Sequence, residues 1–199
     1  MLELSVRIRM EGHVASTTRE RLGEVEWVSA ATRLLADDGI EAVRVEPLAA
    51  ALGVTKGSFY WHFPDRRALL DAVLDAWEQR ATSAVIAHVE TAAGPPSERL
   101  SRLFALIGRS RRAPGVEHAI RAWGAIDPRA RSVLARVDAR RERYVRGLLR
   151  GLGLPVGVAR RRARFLYLAL IGEFTWVAHG GSPSGPGPWR ELVRLLSAR

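Results

Sequence analysis

Val45-Glu46-Pro47-Leu48-Ala49-Ala50-Ala51-Leu52-Gly53-Val54-Thr55-Lys56-Gly57-Ser58-Phe59-Tyr60-Trp61-His62-Phe63 is the stretch on which the reading of this chain turns. Apolar spacing predicts a short helix over 45–52, closed by Gly53, and a second helix from Thr55 to Phe63. Pro47 fits the first turn of the earlier helix without breaking it. Ala49, four residues before the glycine, is small enough to let two helices cross closely. Gly53 can take the positive φ of a tight turn. Leu48, Leu52, Val54 and Phe59 are spaced to fill the angle between the helices. This is what a helix-turn-helix needs to hold its second helix out as a reader.

The second helix carries polar groups suited to DNA. Thr55 is an N-cap whose hydroxyl, with the free backbone N–H groups behind it, can meet phosphate. Lys56, Ser58, Tyr60 and His62 crowd hydrogen-bonding groups onto one short helix, and Arg44 and Arg66 flank it at helix starts. Phe59 and Phe63 read as core. Trp61 is open between packing and DNA. His62 lacks a second ligand at useful spacing, so no metal is expected there.

The segment from Gly39 to about Leu74 resembles the DNA-binding region of the TetR (tetracycline-repressor) family of bacterial transcription regulators. Gly53 through Phe63 and Pro64-Asp65-Arg66-Arg67-Ala68-Leu69-Leu70 carry the likeness. The rest of the chain matches only in length and helix count. The resemblance implies a homodimer, a three-helix DNA-binding domain and a helical domain that binds an effector and dimerises. It places Thr55, Lys56 and Ser58 where the family reads the major groove. Tyr60 and His62 fall where side chains reach phosphate or base edges, and Arg66 replaces a usual lysine at a phosphate contact. Arg44 departs from the pattern: the family usually has serine or threonine capping the second helix there. The lost cap costs roughly 1 kcal/mol, although arginine could grip phosphate instead.

Outward from this unit the pattern stays helical. A first helix runs from Arg19 to the Asp38-Gly39 stop, with Leu22, Val25, Trp27, Val28, Ala31, Leu34 and Leu35 at helical spacing. Further helices are expected over 65–90, 98–109, 116–126, 128–152, 156–179 and 189–197. Gly94-Pro95-Pro96, Ala113-Pro114-Gly115, 151–155 and 180–188 are read as breaks. Asp127 caps and Pro128 opens the 128–152 helix. The expected fold class is all-α, about nine helices. The expected domains are a frayed N-terminus over 1–18, a helix-turn-helix domain over 19–64, and an effector-binding and dimerisation domain over 65–199, with 65–90 as connecting helix.

Charge is unevenly spread. Residues 19–80 carry a net −3 and residues 81–199 a net +13 within an overall +10, and Lys56 is the only lysine. The arginine-rich second part is read as solvated helix faces rather than a nucleic-acid surface. The acids of the first part sit on the first helix (Glu24, Glu26, Asp37, Asp38) and on the fourth (Asp71, Asp75, Glu78), away from the reader.

The chain has no cysteine, which excludes disulfides, thiolate metal sites and cysteine nucleophiles. The longest apolar run, 165–179, is interrupted by Glu173, so no membrane span is expected. Charges at Glu3, Arg7 and Arg9 argue against a signal peptide. No P-loop, GxGxxG, GxSxG or HExxH motif occurs, so no enzyme, metal or cofactor is expected. Phe104, Trp123, Tyr167, Glu173 and Trp176 are candidate effector contacts. A buried unpaired carboxylate is costly, so Glu173 is expected to pair with an arginine or to face the cavity. The reading is a cytoplasmic, ligand-responsive repressor. Its partners are double-stranded operator DNA, a small-molecule effector of unknown identity, and a second copy through 156–179 and 189–197. The alternatives are an activator or dual regulator, or a helical small-molecule-binding protein with a vestigial helix-turn-helix.

Overall fold

The computed structural model describes residues 22–107 and 113–198. The expectations placed on 1–18 and on Arg19 lie outside the described residues. Ten α-helices follow one another: α1 (Glu24–Asp38), α2 (Val45–Leu52), α3 (Lys56–Tyr60), α4 (Arg66–Glu78), α5 (Ala84–Thr91), α6 (Pro96–Ile107), α7 (Ala113–Ile126), α8 (Pro128–Gly151), α9 (Val156–Ala178) and α10 (Pro186–Ser197). A 3₁₀ turn (Ile40–Ala42) precedes α2, and a π-helical turn (Gln79–Ser83) joins α4 to α5. The α4–π–α5 run is one continuous rod, which gives nine rods in all. No strand occurs among the described residues.

Local chemistry explains the ends. At α1, Glu26 in the third position reaches back to the Gly23 amide at 2.7 Å. Gly53 closes α2 in the left-handed region at φ 67. Asp65 caps α4 by accepting from the Ala68 amide at 2.8 Å, and Asp127 caps α8 by accepting from the Arg129 amide at 2.8 Å. The expected break at Ala113-Pro114-Gly115 is instead the first turn of α7. Proline lacks only an N–H that the first turn leaves unpaired anyway, so it opens this helix. The same holds at Pro96 and Pro186, which start α6 and α10 earlier than expected. Val25, expected on the apolar face of α1, is 65% exposed, because that helix buries Trp27, Val28, Ala31 and Leu35 instead.

Two apolar cores result. The first joins α1–α4 to α7 and the first half of α8, around Trp27, Phe59, Leu69, Ile120 and Val137. Trp27 meets Phe59 edge-on with centroids 5.3 Å apart, which locks α1 against the helix-turn-helix. The second core joins α5, α6, the rest of α8, α9 and α10, around Leu100, Leu149, Leu166 and Tyr167. Helix α7 packs very close to α8 at Gly124, where a Cβ would lie 2.2 Å from the Leu134 methyl.

The two regions of opposite net charge meet where α4 lies along α8. Asp71 of α4 binds Arg129 of α8 at 2.9 Å. Seven residues on, Glu78 binds Arg136 at 2.6 Å. Arg140 then donates to Ser83 Oγ at 2.7 Å, and Arg141 to Thr82 Oγ1 at 2.9 Å, both on the π turn. The repeated seven-residue step means that α4 and α8 run parallel in fixed register. Part of the arginine excess therefore ties down the fourth helix from partly exposed positions, with Arg129 38% and Arg136 54% exposed.

Candidate nucleic-acid interface and effector cavity

Helix α3 stands on Phe59, which is fully buried against Trp27 and Phe63. Everything around that anchor points outward. Arg44, Thr55, Lys56 and Tyr60 are exposed, while Ser58 and His62 are half-buried. Thr55 is the N-cap of α3 and Arg44 that of α2; neither side chain makes a capping bond. Lys56 Nζ binds Glu46 of α2 at 2.5 Å. That bond lowers the Glu46 pKa and raises that of Lys56. Trp61, which sequence reasoning left open, is 88% exposed immediately after α3. It is the most exposed large apolar side chain among the described residues and extends the outward surface of the reader.

Arg66 has a structural task that the sequence reading did not assign to it. Its Nε donates to the Val43 carbonyl at 2.5 Å and its Nη2 to the Ile40 carbonyl at 2.7 Å. The guanidinium ties α4 to the 3₁₀ turn and the start of α2 through two of its N–H groups. Only a tertiary arrangement brings those carbonyls within reach, 23 and 26 residues away.

Farther along, α1, the π turn and α5–α9 enclose a cavity of about 680 Å³. Of the residues named as candidate effector contacts, Phe104 and Tyr167 line it. Trp123, Glu173 and Trp176 do not. Trp123 is buried in the first core and donates its indole N–H to Asp127 at 3.1 Å. Glu173 neither faces the cavity nor pairs with an arginine; its two oxygens accept from the amide and hydroxyl of Ser184, both at 2.7 Å. The Gly/Ser/Pro loop satisfies the carboxylate that sequence reasoning gave to a guanidinium. Trp176 is 63% exposed and bonds the Ser182 carbonyl at 3.2 Å.

Glu117, Arg141 and Tyr167 of the cavity wall belong to a charged cluster, completed behind the wall by Arg121 and Asp138, that was not singled out from the sequence. Glu117 of α7 is buried and accepts from Arg121 at 2.8 Å and from Arg141 at 2.9 Å. Asp138 accepts from Arg121 at 2.8 Å and from the Tyr167 hydroxyl at 2.6 Å. Arg141 also lies over the Trp77 ring, 5.2 Å from its centroid. Burial opposes charge on Arg121 and Arg141, but the facing carboxylates outweigh it and raise both pKa values. Burial alone would push the Asp138 carboxyl up, yet the bonds from Arg121 and Tyr167 hold it below its usual range. Burial, with the bond to Asp138, pushes the Tyr167 phenol up.

On the outer face of α9, Phe165 (60% exposed), Leu168 (49%) and Trp176 recur at helical spacing, and Leu195 of α10 is also exposed. The opposite face of α9, with Leu166, Leu170 and Phe174, is buried in the second core. Among the described residues no three metal-ligating side chains cluster, and no helix is long and apolar enough to cross a membrane.

Comparison with known proteins places this geometry. Residues 28–73 match the family described as "Bacterial regulatory proteins, tetR family". The class C tetracycline repressor protein of Escherichia coli is 45% identical over 49 residues, 25% of this chain and 22% of that one. The nucleoid occlusion factor SlmA of Actinobacillus pleuropneumoniae is 31% identical over 83 residues, 42% of this chain and 41% of that one. These matches span about two-fifths or less of the relatives' own lengths. The fold extends further: a candidate transcriptional regulator from Saccharomonospora viridis, solved in complex with choline, superposes with a TM-score of 0.69 at 21% identity, over 86% of this chain and 93% of that one. The likeness to the tetR family of bacterial regulatory proteins is thus carried by residues 28–73, which run from α1 into α4.

Proposed function

We propose that the chain is a DNA-binding transcription regulator, a repressor that leaves its operator when a small molecule fills the cavity. The observation that carries this reading is α3. Its apolar side is spent on Phe59, and Lys56 and Tyr60, with Thr55 and Trp61 at its two ends, are exposed; their only contacts of note are the exposed Lys56–Glu46 pair and the edge of Tyr60 against Phe59. Residues 19–64 act as the reading unit and 65–199 as the effector-binding and dimerising unit, with 65–90 between them. Lys56, with Thr55 and Ser58, reads base edges; Tyr60, His62, Trp61 and Arg44 position the duplex. The protein works in the cytoplasm of a bacterium and is not an enzyme.

Two copies meet through 156–179 and 189–197, because the apolar outer face of α9 otherwise stays in water. Ligand control fits the cavity's position. Its wall includes Ser29 and Thr32 of α1 and Thr82 of the π turn, so an occupant touches both the reading unit and the rod that carries it. Choline bound by a neighbour of the same fold supports small-molecule binding. Moving α4 through the Arg129, Arg136 and Arg141 clamp would respace the two readers.

The test is fluorescence anisotropy of a duplex from the gene's own upstream region against a scrambled duplex at stated salt. The reading predicts a preference for the upstream duplex of at least about a thousandfold. Equal binding of both duplexes would contradict it. Sedimentation of a stable monomer at micromolar concentration would contradict the dimer.

A further inference from the structure

We infer that the cavity selects an uncharged, mainly apolar small molecule with a single hydroxyl- or carbonyl-type polar end, and that this end meets α1. The inference rests on the effector-site reading above and names the ligand class that site takes.

Most of the wall is hydrocarbon and aromatic: Trp77, Val85, Leu103, Phe104, Leu170 and Phe174. A charged ligand would need an opposite charge with spare hydrogen-bonding capacity, and among the described residues the buried charges of the wall, Glu117 and Arg141, are paired with each other. Two carboxylates, Glu117 and Asp138, face two guanidiniums, Arg121 and Arg141, so the cluster is neutral. Its groups are also committed to one another. Glu117 accepts from both arginines, at distances of 2.8 to 3.1 Å. Arg141 spends Nε on Thr82, Nη1 on Glu117 and Nη2 on the Ala81 carbonyl. Tyr167 spends its proton on Asp138. A ligand ion placed against this cluster would break a bonded pair or stay unpaired, and both are costly away from water.

Spare capacity exists at the other end. Thr32 Oγ1 donates to the Val28 carbonyl at 2.7 Å, which leaves its oxygen able to accept. Ser29 Oγ accepts from Arg33 at 3.3 Å, which leaves its proton able to be donated. One neutral polar group satisfies both hydroxyls. Arg33, Asp37 and Arg80 border this end, but all three are exposed, where solvent and salt screen them.

The experiment holds the hydrocarbon constant and varies the head: decan-1-ol, decanoate and decyltrimethylammonium, each titrated calorimetrically into the full chain, below micelle formation. Decanol is expected to bind at least about tenfold more tightly than either ion. Decanoate or decyltrimethylammonium binding as tightly as decanol would overturn the inference, and so would the absence of binding by all three. Val85→Trp, which fills the cavity, is expected to abolish decanol binding, with Ile86→Phe as the milder alternative should the first fail to fold. Undiminished binding to a folded filled variant would overturn the location. A parallel anisotropy titration on operator DNA keeps the two readings apart: decanol that binds without releasing DNA refutes the effector-released repressor and leaves the ligand class standing.

Discussion

Opposite charges meet in two contrasting settings in this chain. On the reader, Lys56 and Glu46 approach to 2.5 Å, but their side chains are 53% and 63% exposed. Against the cavity, Glu117 meets Arg121 and Arg141 at slightly longer distances, with a side chain 3% exposed. The shorter contact is the weaker one, because water competes for both partners of an exposed pair and salt screens it. The pair on α3 can therefore open to meet DNA at little cost. The cluster behind the cavity cannot open without stranding a charge, which suits it to transmit a displacement rather than to bind an ion.

The contrast can be broken most forcefully at Glu117. Glu117→Gln leaves two guanidiniums short of a counter-charge, and a loss of roughly 3–5 kcal/mol of stability is expected in urea unfolding. A loss under about 1 kcal/mol would mean the cluster is wetter than its burial indicates.

Acidity sharpens the same point. Asp138 has a folded pKa held below its unfolded value, so its contribution is present above the unfolded carboxylate pKa of about 3.9 and is lost as pH falls through and below that range. Tyr167 is raised, so its contribution is complete below the unfolded phenol pKa of about 10 and is lost as pH climbs beyond it. Asp138→Asn is expected to flatten the acid limb of the stability profile and Tyr167→Phe the alkaline limb. Unchanged limbs in both variants would remove the cluster from the account.

The clamp on α4 lies between the extremes, since Asp71 and Arg129 are half exposed. Asp71→Ala should cost about 0.5 kcal/mol, read as a small shift of the urea midpoint. At the far end, Lys56→Ala should change stability by less than about 0.5 kcal/mol.

Much of the fold was legible because helix signals are local. Gly53, Asp127-Pro128 and the long apolar periodicities of α8 and α9 each announce themselves within a few residues. Proline misled where it opens a helix rather than ending one, at Pro96, Pro114 and Pro186, because only the backbone before it distinguishes the two uses. The π turn left no sequence signal that we can identify; it is held by Arg140 and Arg141, 57 to 59 residues away. The site divides in the same way. The outward residues of α3 follow from a five-residue helix on one buried phenylalanine. Glu173 and Trp123 were misplaced because their partners, a serine loop and a helix cap, are chosen by packing, and the two carbonyls that hold Arg66 are chosen in the same way. Glu117 carried a signal, a carboxylate among the apolar residues of 113–126 with Arg121 four residues on, but its second arginine, Arg141, lies on another helix.

The central claim is that α3 reads sequence, and Lys56 tests it most directly. Wild type and Lys56→Ala should be titrated against operator and scrambled duplexes over a salt series. A base-edge contact discriminates by roughly 1–3 kcal/mol, so the operator-to-scrambled affinity ratio is predicted to fall by about 5- to 150-fold in the variant. Tyr60→Phe is the internal control: a phosphate contact carries no sequence information, and both affinities should drop by similar factors. An unchanged ratio in Lys56→Ala, with both affinities reduced alike and the salt slope lowered by about one unit, would make Lys56 a phosphate ligand and contradict the account.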